Sequence, residues 1–509
     1  SERLVNAAYS PNTIFDITSG KDLISQMGGA GCSSQSYAEA NMTVQPTHNL
    51  SVEELDKQSV FHPFTALAQH METGPRIMVS GEGVKLRDRQ GREYIDALAG
   101  LWCVNIGYGR TEIADAVNQQ IRELPYYHSF ASMGTEPAAY VADRIKRMLP
   151  GDMGRVFFGL SGSDANDTQV KLVWYYNNLL GRPNKKKIIA RNRAYHGVTV
   201  AAGSLTGLPV LHNAFDLPID RILHTVTPHH YWNAAPGMSE EDFARHCAEE
   251  LDSLIEREGP DTVAAFIAEP VMGAGGVIVP PKGYFQEIQK VLKKHDVLLI
   301  ADEVICGFGR LGKMFGSQVF DIEPDMVTIA KGITSGYVPL SASVVSEKMW
   351  QVLAEKSRDL GVFGHGYTYT AHPVSCAAAV ANLDIIEGEK LDERAAETGR
   401  YMQALLRDTF EGQPMIGEVR GTGLIAAVEL VPDPSVKKAF DPSLKVAGRI
   451  AAKALDHGLI TRALPNADSL AFSPPLVITR DEVAECVERL ARSIEEVRDE
   501  LTREGVGQA

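Results

Sequence analysis

Two short apolar runs constrain this 509-residue chain more than any other feature. The first, Val297 to Ala301, closes on Asp302; the second, Met326 to Ala330, closes on Lys331, 29 positions further on. Runs of this length, rich in Val, Ile and Leu, read as strands buried on both faces, and burial on both faces is the mark of a parallel sheet. In open α/β sheets, functional groups gather at the carboxyl ends of the strands. Asp302 and Lys331 are therefore expected at one edge of the sheet, a carboxylate and an amine sharing a space.

That pair suits one cofactor well. Pyridoxal phosphate needs a lysine for its Schiff base and an acid for its pyridinium nitrogen. A carboxylate buried at the end of a strand is costly without a cationic partner, and a desolvated amine loses protons readily and becomes nucleophilic. A structural salt bridge is the plain alternative for Asp302.

Further runs, Arg155 to Leu160, Lys187 to Ala190 and Val263 to Glu269, alternate with amphipathic helical stretches, which predicts a mainly parallel sheet covered by helices. The domain boundaries follow. Residues 1–58, polar and Gly/Ser-rich, read as an arm; 59–110, with a hairpin over 84–96, begin a smaller domain; 111–384 form the large domain. Residues 385–509, with a hairpin at 419–424 and a charged helix from Thr479 to about Arg503, complete the smaller one.

Fifty basic against 65 acidic residues give a net charge of -15, which argues against nucleic acid or an anionic membrane as partner. The six cysteines, Cys32, Cys103, Cys247, Cys306, Cys376 and Cys486, have no paired spacing and are expected as thiols in a reducing, cytoplasmic setting. No apolar stretch approaches the ~18 residues of a membrane helix, and no signal-peptide pattern is read.

Other candidates lie along the large domain. Ser161, Gly162 and Ser163 follow a strand and precede a helical pattern from Thr168 to Leu180, so their N–H groups at a positive helix end suit a phosphate, although an ordinary capped helix start would look the same. Tyr195, beside His196 and Gly197, could stack on a flat ring. Val304, two residues past Asp302 and read as sharing its strand face, could pack the opposite side. Gly307-Phe-Gly-Arg-Leu-Gly312 matches a dinucleotide-binding pattern, but a poor helix start follows it and no acid ends a second strand about 20 residues beyond. His229, His230 and His372 lack metal-ligand spacing, so no metal is expected.

Taken together, Ser161 to Asp167, Tyr195-His-Gly197, Glu269 to Gly276, Asp302 to Arg310 and Ala330 to Gly336 resemble the class III (subgroup II) pyridoxal-phosphate aminotransferases. The nearest resemblance is to the pyruvate-using ω-transaminases, over roughly residues 60–500. The resemblance implies a fold type I enzyme: a large domain around a mainly parallel seven-stranded sheet plus a smaller α+β domain, dimerised with shared active sites. It implies Lys331 as Schiff-base lysine and Asp302 as the pyridinium partner. Tyr195 and Val304 would lie on the two ring faces, with His196 beside them. Gly162 and Ser163 would hold the phosphate with Thr368 from the partner subunit, and Glu269 would be a supporting acid. Trp102 and Phe130 would shape the substrate pocket, and Arg462 would clamp a keto-acid carboxylate. Asp164 stands where the family more often has glutamate. A 2-oxoglutarate-dependent aminotransferase, an aminomutase or a decarboxylase would share the cofactor residues; a non-catalytic dimeric scaffold is the reading from another class.

Overall fold

The computed structural model describes residues 50–464 and 468–506, so most of the expected amino-terminal arm lies outside the described residues. Two compact units divide at Pro75 and Arg76. The first contributes two short helices, α1 (Val52–Ser59) and α2 (Leu67–Thr73). Ser51 and Glu54 form a reciprocal capping box at the start of α1. Neither helix buries a residue.

The second unit opens with the expected hairpin: β1 (Met78–Glu82), β2 (Lys85–Asp88) and β3 (Glu93–Asp96) run antiparallel. The central sheet follows, from β4 (Met153–Gly159), β5 (Lys187–Arg191), β6 (Ile222–Thr225), β7 (Val263–Ala268), β8 (Leu298–Asp302), β9 (Met326–Ile329) and β10 (Ser341–Ser346). These seven strands lie in the order β4-β10-β9-β8-β7-β5-β6, and only β10 runs against its neighbours. The fold class expected from the sequence is therefore the one observed. The carboxyl-terminal part adds β11 (Ile416–Thr422) and β12 (Ile425–Leu430) as a hairpin, then β13 (Leu459–Ile460), β14 (Arg462–Ala463) and β15 (Ser469–Phe472). Strand β13 joins the first sheet beside β3, and β14 and β15 extend the hairpin sheet.

Two central strands had no reading from sequence, for different reasons. Strand β6 has only four residues at the sheet edge, and His224 interrupts its apolar run. Strand β10 alternates serine with small apolar residues, which looks half-solvated, yet five of its six residues are buried. Its hydroxyls find partners: Ser343 Oγ donates to Ala165 O at 2.8 Å and Ser341 Oγ to Asp164 Oδ1 at 3.0 Å. The burial of β7, β8 and β9, complete except at Leu298, matches their largely apolar sequences.

Candidate active site

The edge of the central sheet where β8 and β9 end carries the site. Asp302 is the last residue of β8 and pairs in register with Thr328 on β9, three residues before Lys331. Lys331 begins the turn after β9 with φ of 48°, a left-handed conformation that a side-chain-bearing residue adopts at some cost and that collects at functional sites.

Asp302 is held on every side. It is 3 % exposed; Oδ1 accepts from Val304 N at 3.1 Å, and Oδ2 from Asn166 Nδ2 at 2.9 Å. The His196 ring contributes Nδ1 at 2.7 Å from Oδ2, while its buried Nε2 has no partner among the described residues. Asn166 also donates to His196 O and accepts from Thr328 Oγ1, so it ties β9 to the residues around Asp302. Asn166 was not singled out from the sequence; the available signal was an amide on the helix face turned toward the sheet.

Lys331 is partly buried, and no described residue takes a hydrogen bond from its amine. Desolvation lowers its pKa to about 8, with Cys103, Asp302 and Glu269 pulling the other way and the Arg462 charge adding to the fall. Its Nζ lies 5.3 Å from the centre of the Trp102 ring, and the Arg462 guanidinium lies 5.2 Å from the same ring. Burial also lowers the pKa of Arg462. Trp102 is 2 % exposed, packs in one apolar cluster with Tyr195, and leaves its Nε1 buried without a partner. Its loop is shaped by Asp96, which accepts from Leu98 N, Gly100 N and Tyr108 Oη. This buried aspartate is a positioning residue that sequence reading missed.

Helix α3 (Gly162–Leu179) begins six residues before the predicted Thr168, because Ser161 and Asp164 cap it. Ser161 Oγ accepts from Asp164 N, and the Asp164 carboxylate accepts from both Leu160 N and Ser161 N. Asp164 thus serves as a capping acid. Among the described residues the N–H groups of Gly162 and Ser163 have no acceptor, which leaves two donors free at a positive helix end. Ser163 Oγ accepts from Val198 N at 3.1 Å.

Val304 requires a correction. Strand β8 ends at Asp302, so Val304 lies in the following turn and does not share a strand face with it. Its methyl groups reach the helix start instead: a Cβ built on Gly162 would stand 3.2 Å from both. Glu269 follows β7; its carboxylate accepts from Tyr195 N at 3.1 Å and from Gly273 N at 2.9 Å, and burial raises its pKa. The Tyr195 phenol is likewise raised by burial.

No hydrogen bond or ring contact among the described residues links Phe130 or Thr368 to Lys331, Asp302, Tyr195 or Trp102. Phe130 is 47 % exposed and lies against Gly366, whose added Cβ would meet it at 3.1 Å. Thr368 is exposed, and its carbonyl accepts from Tyr126 Oη at 2.7 Å. The Gly307 to Gly312 segment forms turns and a bend followed only by the single 3-10 turn Gly316–Gln318, with no α-helix starting behind it, unlike a dinucleotide site.

These residues fit pyridoxal phosphate. The orphaned amine of Lys331, a buried carboxylate held by an amide, a ring and a backbone N–H, and two unpaired donors at a capped helix start match the group's aldehyde, ring nitrogen and phosphate. Gly197 shows how close the packing is: at φ of 131°, a Cβ there would come within 2.5 Å of Ser163 Oγ.

A family model described as aminotransferase class-III matches residues 67–494. The diaminobutyrate–2-oxoglutarate transaminase of Halomonas elongata is 52 % identical over 458 residues, covering 89 % of this chain and 98 % of that one. Gamma aminobutyrate transaminase 1, mitochondrial, of Solanum lycopersicum is 47 % identical, covering 85 % and 84 %. The crystal structure of an ω-transaminase from Pseudomonas jessenii in complex with PMP is similar with a TM-score of 0.87 at 47 % identity, covering 88 % and 99 %.

Proposed function

The chain belongs to the class-III aminotransferases, enzymes that use pyridoxal phosphate, and from that premise we propose that it moves an amino group from a primary amine or ω-amino acid to pyruvate. The observation that carries the reading is the pairing of Lys331 and Arg462 over one indole ring, which sets a carboxylate-binding guanidinium beside the reactive amine. The cofactor supplies an electrophilic aldehyde and an electron-poor ring that takes up charge from the substrate carbon.

The chain's own groups do the rest. Lys331 would hold the cofactor between turnovers through its amine and, once freed by the incoming substrate amine, would move the proton at the substrate carbon, acting as base and then acid. Asp302, fixed by His196 and Asn166, would keep the cofactor's ring nitrogen protonated. Gly162 and Ser163, on the helix capped by Ser161, would hold the phosphate, with Thr368 of the partner subunit assisting. Tyr195 covers one ring face, Glu269 fixes its backbone, and Val304 closes the space next to Gly162. Trp102 and Phe130 bound the substrate pocket. Arg462 binds the keto-acid carboxylate and leaves when an amine without one enters. A homodimer fits this reading, since Phe130 and Thr368 are exposed together with Tyr126, Val362, Phe363 and Tyr369. Five free cysteines among the described residues suit a reducing cytoplasm.

The similarity to a diaminobutyrate–2-oxoglutarate transaminase favours a second acceptor, 2-oxoglutarate. A panel of amines offered with each keto acid decides: stoichiometric alanine supports pyruvate, and glutamate with little alanine replaces it by 2-oxoglutarate. Arg462→Ala is expected to raise KM for pyruvate by about 10-fold or more, as loss of a charge-assisted pair implies, with little change for a carboxylate-free amine. Equal effects on both substrates would remove the clamp.

A further inference from the structure

We propose that the first unit carries a site for a divalent transition metal, with zinc as the natural occupant, formed by Asp56, His62 and His70. The three residues bracket the helical pair: Asp56 in α1, His62 in the connection and His70 in α2. Their ligand atoms all lie within 4.8 Å of one another. His62 Nε2 is 2.7 Å and His70 Nε2 3.6 Å from the same oxygen, Asp56 Oδ1, and the two rings stand 4.3 Å apart at 42°. Two imidazoles and a carboxylate bind zinc at about 2.0–2.2 Å each, so tetrahedral donor atoms sit roughly 3.3 Å apart. The two nitrogen–oxygen separations depart from that by about half an ångström and the two imidazole nitrogens lie within 4.8 Å of each other, so side-chain rotation would bring the three donors onto the ion, with water completing the four positions.

A second observation points the same way. The His70 side chain is 10 % exposed, its Nε2 is buried, and that nitrogen has no hydrogen-bond partner among the described residues. A buried imidazole nitrogen with no partner carries an unreturned desolvation cost, and here it is aimed at a carboxylate beyond hydrogen-bond reach. A metal ion between the two satisfies both.

The position also gives the ion a purpose. Helices of 8 and 7 residues are too short to persist in water by propensity, and neither buries a residue that could hold it to the other. Val60, Phe61, Phe64 and Leu67, in and beside the connection, are all exposed. Three ligands drawn from α1, the connection and α2 would fasten the pair where no apolar core does.

A comparable group in the second unit makes a control. Asp252, Glu256 and His295 also cluster, but Lys294 Nζ already lies 2.8 Å and 2.9 Å from the Asp252 oxygens and 3.5 Å from Glu256. A cation is already supplied there.

The test uses untagged, full-length holoenzyme, stripped with chelator and titrated with zinc, with cobalt as the spectroscopic probe. One equivalent of zinc per chain is expected, with a tetrahedral cobalt absorption. His70→Ala and Asp56→Asn should each weaken binding by more than the roughly 10–100-fold that loss of an outer partner costs, while His295→Ala leaves it unchanged. Metal-free far-UV spectra of the variants should overlay the parent, which separates ligand loss from misfolding. No stoichiometric zinc, an octahedral cobalt spectrum, or loss of binding with His295→Ala and not with His70→Ala would overturn the proposal.

Discussion

Single residues at this site do measurable chemistry. Because desolvation holds the Lys331 amine down to about 8, the neutral form is scarce at low pH and dominant above that value. Reloading of the stripped enzyme with pyridoxal phosphate should therefore speed up about tenfold per pH unit up to pH 8 and level off beyond, as followed by absorbance. A flat profile would show the amine titrating elsewhere. Gly197→Ala places a Cβ 2.5 Å from Ser163 Oγ and 2.8 Å from its Cα in a left-handed conformation. The variant should lose about 1–3 kcal/mol of stability in denaturant titration and release cofactor faster. The sequence made Asp302 and Lys331 legible because each ends an unbroken apolar run. It hid Asn166 and Asp96, since a buried amide or carboxylate that serves backbone and neighbours looks like any other polar residue until the chain is folded.

At the level of elements, the start of α3 decides how the proposed phosphate site is built. Asp164 accepts from Leu160 N and Ser161 N and from Ser341 Oγ, joining a helix cap to β10. Asp164→Ala should cost about 1–2 kcal/mol in stability, with weaker cofactor retention in equilibrium dialysis. Unchanged retention would place the phosphate elsewhere. The predicted helix began at Thr168 because Gly, Ser, Asp and Asn at its first positions read as a turn, and the same residues are what a capped first turn requires. Val304 was misplaced for a related reason: counting by twos along an apolar run presumes that the strand continues, whereas β8 stops at its acid. Strand β10 escaped notice because buried hydroxyls with partners cannot be told from solvated ones by pattern alone.

Across the whole molecule, the chain exposes Phe130 and Thr368 with a band of aromatic side chains, and the proposed dimer with shared sites makes a direct prediction. Dimers mixed from Lys331→Ala and Thr368→Ala chains should recover one site per dimer with parental cofactor affinity, as measured by fluorescence titration. Recovery of none would mean that each chain closes its own phosphate site. Composition and run spacing made the sheet architecture readable, while a surface for a second copy of the kind proposed leaves no periodic trace in one chain. The reversed strand β10 has a last consequence. Strand β10 runs against β9, so no helical crossover is needed: the chain leaves β9 at Ile329 and enters β10 at Ser341 over eleven residues that open with a single 3-10 turn, Lys331–Ile333. Lys331 stands two residues past the end of β9, so the strand sets the point from which its four methylenes reach. Lengthening the chain between Ile329 and Lys331 by a residue should misplace the amine while leaving the rest of the sheet undisturbed.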